Sequence, residues 1–320
     1  MTDFETVAAT ELHTATPGRA GEPNAPGQPS DLTGARQKVR GLAGDAWLDL
    51  RRNPVFWVAA ALVVLVILMA VFPSFFARGV PTDCDLSRQH AGRTGGALFG
   101  YDFQGCDVWA RAVYGTRASL FIGGLAALGA GIIAVIVGMV AGYFGGWADA
   151  LLSRVTDIVL GIPLLLAAIV LMTRVGGDDT FRKLAIVAVL AGLGWTTAAR
   201  VIRSSVITAR QQDYVAAARM LGAGNGRIMW RHILPNSLAP VVVVITIALG
   251  AFIATEATLS YLGIGLQSTV SWGVDINAAQ VHQRESVIPL VVPSVFLALT
   301  VLAFIMLGDA IRDAFDPKLR

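Results

Sequence analysis

Residues 55–76 carry no charged side chain. As an α-helix rising 1.5 Å per residue, that run is long enough to cross the roughly 30 Å of hydrocarbon in a bilayer. Similar apolar runs recur at 118–141, 151–173, 184–199, 238–259 and 287–307. Inside hydrocarbon every backbone N–H and C=O needs an internal partner, so such runs read as helices. Composition agrees: 15% of the residues are charged and 55% hydrophobic, whereas a soluble domain carries about 25% charged residues. A soluble enzyme, a disordered chain, a collagen-like chain and a disulfide scaffold are thereby excluded. The expected fold is an all-α membrane protein of six transmembrane helices. The 34 glycines fit as well, because glycine is more frequent in membrane helices than in soluble ones.

The segments between the runs set the topology. Residues 1–35, rich in Pro, Gly, Thr and Ala, read as a disordered tail, since they bury too little apolar surface to offset their ordering entropy. A helical pattern over 36–54, with Val39, Leu42, Trp47, Leu48 and Leu50, suits an amphipathic juxtamembrane helix at the lipid surface or a simple anchor. Arg36, Lys38, Arg40, Arg51 and Arg52 precede the first run, which places the N-terminus in the cytoplasm. Six crossings return the 308–320 tail to the same side. Loops 77–117 and 260–286 then lie outside and 200–236 lies inside. The net charge of +3 follows from such loop arginines and does not imply nucleic acid.

Reactive chemistry is sparse. Gly222, Gly224, Gly226 and Arg227 form a glycine-rich stretch without the Lys-Ser/Thr pair of a phosphate-binding loop, so ATP is not expected to bind here. His13, His90, His232 and His282 are widely separated in sequence, and neither a metal site nor a catalytic cluster is expected. Arg154 and Asp157, at i and i+3 in the third run, read as a structural pair or as part of a gate, because intramembrane charge is costly unless paired or near water. Glu256, near the outer end of the fifth run, suits either a solute path or helix-end solvation. Gly138, Gly142 and Gly146 form a small-xxx-small series suited to close helix packing. Gly161 and Pro163 interrupt the third run, where proline removes a backbone donor.

The most informative segment joins the fourth and fifth runs. From Asp213 it reads Tyr214, Val215, Ala216, Ala217, Ala218, Arg219, Met220, Leu221 and Gly222, and it continues through Arg227, Arg231 and His232 to Pro235 and Asn236. This pattern predicts a short helix, a glycine turn and a second helix stopped before Pro235. Small alanines offer a surface that a partner can approach closely, although an ordinary amphipathic loop has the same pattern.

This segment resembles the EAA loop of binding-protein-dependent ABC importer permeases. Ala217, Ala218, Gly222 and Pro235 fit that pattern, and Ala216 stands where the family usually has Glu. Further stretches are similar to the C-type subunit of peptide importers: Phe99–Asp107, Tyr114–Leu120, Gly142–Asp149, Glu256–Gly265, Ser271–Gly273 and Leu307–Arg320. The resemblance implies a bacterial cytoplasmic-membrane permease without cofactors of its own. It also implies a second homologous permease, two ATP-binding subunits that hold ATP and Mg, an extracytoplasmic substrate-binding protein and a peptide substrate. Tyr214, Ala216, Ala217, Ala218, Arg219, Gly222, Arg227, His232 and Pro235 would then form the ATPase-coupling surface. Importers of nickel chelates or glutathione share much of this pattern, and a stand-alone secondary transporter is the rival from another class. Cys84 and Cys106 both fall in the first outer loop, where an oxidising exterior permits a disulfide.

Overall fold

The computed structural model describes residues 42–94 and 96–315. The tail expected over 1–35, the start of the juxtamembrane helix and residues 316–320 lie outside the described residues. The chain begins with α1 (Leu42–Arg52) and α2 (Pro54–Val71). Asn53 sets the start of α2, where its side chain accepts from the Val55 N–H at 2.9 Å and Pro54 supplies a preorganised first turn. The helix ends at Phe72 because Pro73 pushes the residue before it out of helical geometry. A short helix α3 (Pro73–Phe76) completes the 55–76 run.

Helix α4 (Val108–Phe144) is a single rod of 37 residues, about 55 Å long at 1.5 Å per residue. It starts ahead of the apolar run at 118. Asp107 caps it by accepting from the Trp109 and Ala110 N–H groups, and its early arginines have partners. Arg117 donates to the carbonyls of Ala70 and Val71, and Arg111 pairs with Asp275. Charged residues that resemble loop in sequence are thus satisfied within helix.

The third and fourth runs are broken. Helices α5 (Gly146–Leu160) and α6 (Leu164–Met172) meet at 74° across Gly161 and Pro163. Helices α7 (Asp179–Gly194) and α8 (Thr196–Arg210) meet at 43°. Next come α9 (Asp213–Met220) and α10 (Asn225–Ile228), a π-helical turn (Met229–Ile233) and α11 (Leu234–Tyr261). The last three form one continuous helix, so the stop expected before Pro235 does not occur. The wider π turn accommodates a residue that lacks an N–H and crowds the carbonyl four positions back. Helices α12 (Trp272–Gln280) and α13 (Ile288–Phe315) complete the chain.

Four helices are long and apolar enough to cross a bilayer: α2, α4, the continuous Asn225–Tyr261 helix and α13. Counting each bent pair as one span gives six. Among the described residues there are no named strands. Helix α4 is the central post, packed on α7, α8 and α11. Its core face is built from Ala126, Ala127, Ala130 and Ala134, which meet Ile186, Leu190, Ile202 and Phe252. Small residues let backbones approach where no hydrophobic drive separates helix from lipid. At Gly138 an added Cβ would lie 2.7 Å from Ile202 Cβ and 2.8 Å from the Ala199 carbonyl oxygen; at Gly142 it would lie 2.9 Å from the Arg203 oxygen. Gly146 does not continue this series, since a Cβ there meets nothing within 4 Å. Its place is the turn between α4 and α5.

Candidate functional site

Two assemblies occupy opposite ends of α4. At its C-terminal end, α9 turns into α10. Arg210 donates to the Tyr143 carbonyl at 2.7 Å, and the Tyr143 hydroxyl donates to Asn225 Oδ1 at 2.8 Å. Val215, Ala218, Ile228 and Ile233 are buried and anchor the segment. Tyr214, Ala216, Ala217, Arg219, Arg227 and Pro235 are not, and His232 too is open to solvent on one side. The segment projects Met220 and Leu221, 84% and 88% exposed. Gly222 follows with φ +81°. The Gly222 N–H reaches the Arg219 carbonyl and the Ala223 N–H reaches the Ala218 carbonyl, both at 3.0 Å. These two bonds satisfy the last carbonyls of α9 and fix the direction in which the chain leaves it. The result is a partly apolar knob with no cover in the isolated chain.

At the other end, residues 77–107 pack against α12. Cys84 and Cys106 are joined, with the sulfurs 2.02 Å apart. Asp102 Oδ1 accepts from the Gln104 and Cys106 N–H groups at 2.8 and 2.9 Å. Arg111 bridges this loop to α12: its Nε lies 3.0 Å from Asp275 Oδ1 and 3.7 Å from Asp102 Oδ2. Burial pushes the Asp275 carboxyl up to about 6, against the opposing pull of Arg111, and Asp102 adds to the rise. Trp272, fully buried, donates to the Ala112 carbonyl at 2.8 Å and seats α12 on α4.

The structure also brings together two histidines that are distant in sequence. His90 Nε2 lies 2.6 Å from Glu285, His282 stacks on Phe103 at 4.3 Å, and the two imidazoles are 6.1 Å apart. Sequence spacing alone carries no sign of this, because the contact depends on how the loop after α12 folds back. Among the described residues no group of three or more His, Cys, Asp or Glu is arranged to hold a metal ion.

The intramembrane charges differ from their sequence reading. Asp157 pairs with Arg200 of α8 at 2.6 Å rather than with Arg154. The bends of both helix pairs bring α5 beside α8. Glu256 is not solvated at a helix end in this chain. It is fully buried, accepting from the Ser119 and Ser260 hydroxyls at 2.9 Å each. Two residues not singled out in the sequence hold the loop after α11. Arg182, buried, donates to the Gly265 carbonyl at 2.7 Å, and Asp179 accepts from the backbone N–H groups of Gln267, Ser268 and Thr269. Their sequence signal was slight: charges at the edge of an apolar run.

A bundle of long apolar helices and bent pairs around a small-residue post, with an exposed knob between two spans, has the architecture of a multi-pass membrane protein. Residues 134–320 match the family described as binding-protein-dependent transport system inner membrane component, and residues 41–92 match the N-terminal TM domain of oligopeptide transport permease C. The chain belongs to that transport family. It is 35% identical over 300 residues to the dipeptide transport system permease protein DppC of Alkalihalophilus pseudofirmus, spanning 93% of this chain and 96% of the relative. It is 34% identical over 285 residues to the oligopeptide transport system permease protein OppC of Bacillus subtilis (89% and 92%). It is 33% identical over 279 residues to the glutathione transport system permease protein GsiD of Pectobacterium atrosepticum (86% and 90%).

Proposed function

We propose that this chain is one permease half of an ATP-driven peptide importer in a bacterial cytoplasmic membrane, with both termini inside. The observation that carries the reading is the Met220–Leu221 knob, an exposed surface set between two membrane-crossing elements and leading directly into the helix that contains α11. In this reading an ATP-binding subunit grips residues 213–235, a second permease supplies the other wall of the path, and a binding protein delivers substrate to the end that carries the disulfide. The chain binds no nucleotide itself; ATP and Mg belong to the two ATP-binding subunits. Nucleotide-driven closure reaches α4 through the Tyr143–Asn225 and Arg210–Tyr143 bonds and reaches α11 through the π turn. ATP acts by stabilising one arrangement of the two permeases over the other.

Peptide as substrate is supported by the dipeptide, oligopeptide and glutathione systems named for the relatives. Affinity purification of the chain from its native membrane, followed by reconstitution with and without the binding protein, tests the assignment. The expected result is co-purification with two ATP-binding subunits and a second permease, and peptide uptake that needs both ATP and the binding protein. A chain that purifies alone and transports by itself contradicts it.

A further inference from the structure

A cavity of about 360 Å³ opens between α4, α5 and α8, lined by Gly138, Ser153, Thr156, Asp157, Arg200 and Arg203 among others. Its volume is at the small end of ligand pockets, which run from about 300 to 1,000 Å³, and it suits a dipeptide-sized segment. Two ion pairs border it, and they differ in kind. Arg203 donates through Nε and Nη2 to both oxygens of Asp149, and Ser153 adds a third bond to that carboxylate. That pair is closed. Arg200 and Asp157 share a single hydrogen bond at 2.6 Å, and their side chains are 51% and 50% exposed. Each therefore keeps hydrogen-bonding capacity on its open side.

Both helices belong to bent pairs that qualify as membrane spans only when taken together. The half-open Arg200–Asp157 pair borders the cavity, so its free side faces a water-filled or ligand-filled space. A lone cation or a lone anion entering there would capture one partner and strand the other as an unpaired charge. A zwitterion avoids this, because its carboxylate takes the guanidinium and its ammonium takes the carboxylate. Guanidinium and carboxylate also match in the planar, two-bond geometry that arginine favours. The Thr156 hydroxyl, which donates to the Leu152 carbonyl at 2.8 Å, keeps lone pairs for a peptide N–H.

We propose that this cavity is a binding site for the zwitterionic termini of a short peptide, with Arg200 holding the C-terminal carboxylate and Asp157 the N-terminal ammonium. The inference rests on the peptide-importer reading and adds to it a place and two contacts. Asp157 lies one turn before the break at Gly161, and Arg200 lies just beyond the break at Trp195. Flexing of either bent pair therefore changes the spacing of the two charges and can pass the peptide on.

The chain's two cysteines are both in the disulfide, so an introduced thiol is a clean reporter. Ser153→Cys, with Ala141→Cys as a second position on the opposite wall, is labelled in the assembled complex in lipid nanodiscs. The reagent is charged and membrane-impermeant, and the labelled peptide is identified by mass spectrometry. The expected result is labelling that dialanine slows and N-acetyl-dialanine amide does not, with Arg200→Gln raising the half-protecting dialanine concentration at least tenfold. No labelling at either position overturns the proposal. So does equal protection by the free and capped peptides, protection by neither, or protection unchanged by Arg200→Gln. Wild-type dialanine uptake with the binding protein is measured alongside. If uptake persists without protection, the site fails and the importer reading stands; if uptake is absent, the peptide reading fails and the site falls with it.

Discussion

Replacing Gly222 gives a graded test of whether the knob works through its backbone. The residue sits at φ +81°, and a Cβ built there meets nothing within 4 Å. Substitution therefore adds no clash within the chain, and its whole cost is the left-handed conformation, about 1–2 kcal/mol for an ordinary L-residue. At about 1.4 kcal/mol per factor of ten, the closed turn becomes about 5–30 times less favoured relative to opened forms. Asn tolerates this region better than other side chains, so Gly222→Asn falls below that range. Gly222→Ala falls within it, and the β-branched Gly222→Val falls at its top. Opening the turn frees the Ala218 and Arg219 carbonyls and lets Met220 and Leu221 swing. Peptide uptake per ATP hydrolysed, measured in proteoliposomes with the full set of subunits, should decline in the order Gly, Asn, Ala, Val. Loss that follows side-chain volume instead, with Asn worse than Ala, would mean a partner surface packs against this position. Full coupling in Gly222→Val would falsify the backbone argument.

Three further outcomes follow from the packing and the charges. Gly138→Val drives a side chain into the Ala199 carbonyl and Ile202, overpacking that costs about 1–3 kcal/mol; the thermal midpoint of the purified complex should fall, and an unchanged midpoint contradicts the close approach of α4 and α8. Cys84→Ser removes a bridge across a sequence separation of 22, a loss of about 3 kcal/mol in the chain-entropy account; residues 77–107 should become protease-sensitive while the helices stay protected, and equal protection with and without the bridge counts against it. Asp275, raised to about 6 from 3.8, binds its proton more tightly folded than unfolded, so its stabilising contribution is complete below about pH 4 and is lost as pH rises to about 6. Hydrogen-exchange protection of α12, corrected for the intrinsic exchange rate at each pH, should fall over that interval in wild type and not in Asp275→Asn; identical corrected profiles refute the assignment.

The legible features of this chain were those governed by runs and spacing. Absence of charge over 55–76 is a local property, and the bilayer converts it directly into helix. Gly222 and the small residues Ala216–Ala218 were equally readable, because a helix stop needs a specific residue at a specific place. Features that depended on partners distant in the chain were not readable. Arg111 and Arg117 looked like loop residues until Asp275 and the carbonyls of Ala70 and Val71 arrived to satisfy them. Asp157 found Arg200 rather than its neighbour Arg154, because bends at Gly161 and Trp195 brought α5 beside α8. Pro235 stopped no helix, since a π turn, which spacing cannot foretell, absorbed it. His90 and Glu285 met through a loop fold that has no periodicity to read.

The central claim is that residues 213–235 are gripped by a separate ATP-binding subunit on the inner face of the membrane. Met220→Cys, at the exposed tip and free of competing thiols in this chain, tests it by cross-linking in intact cells and in the purified complex. The account predicts an adduct between the introduced thiol and an ATP-binding subunit whose yield changes with nucleotide, and no reaction with an impermeant thiol reagent added outside the cell. Labelling of that thiol from outside, or an assembled and active complex in which it forms no adduct with any ATP-binding subunit, contradicts it.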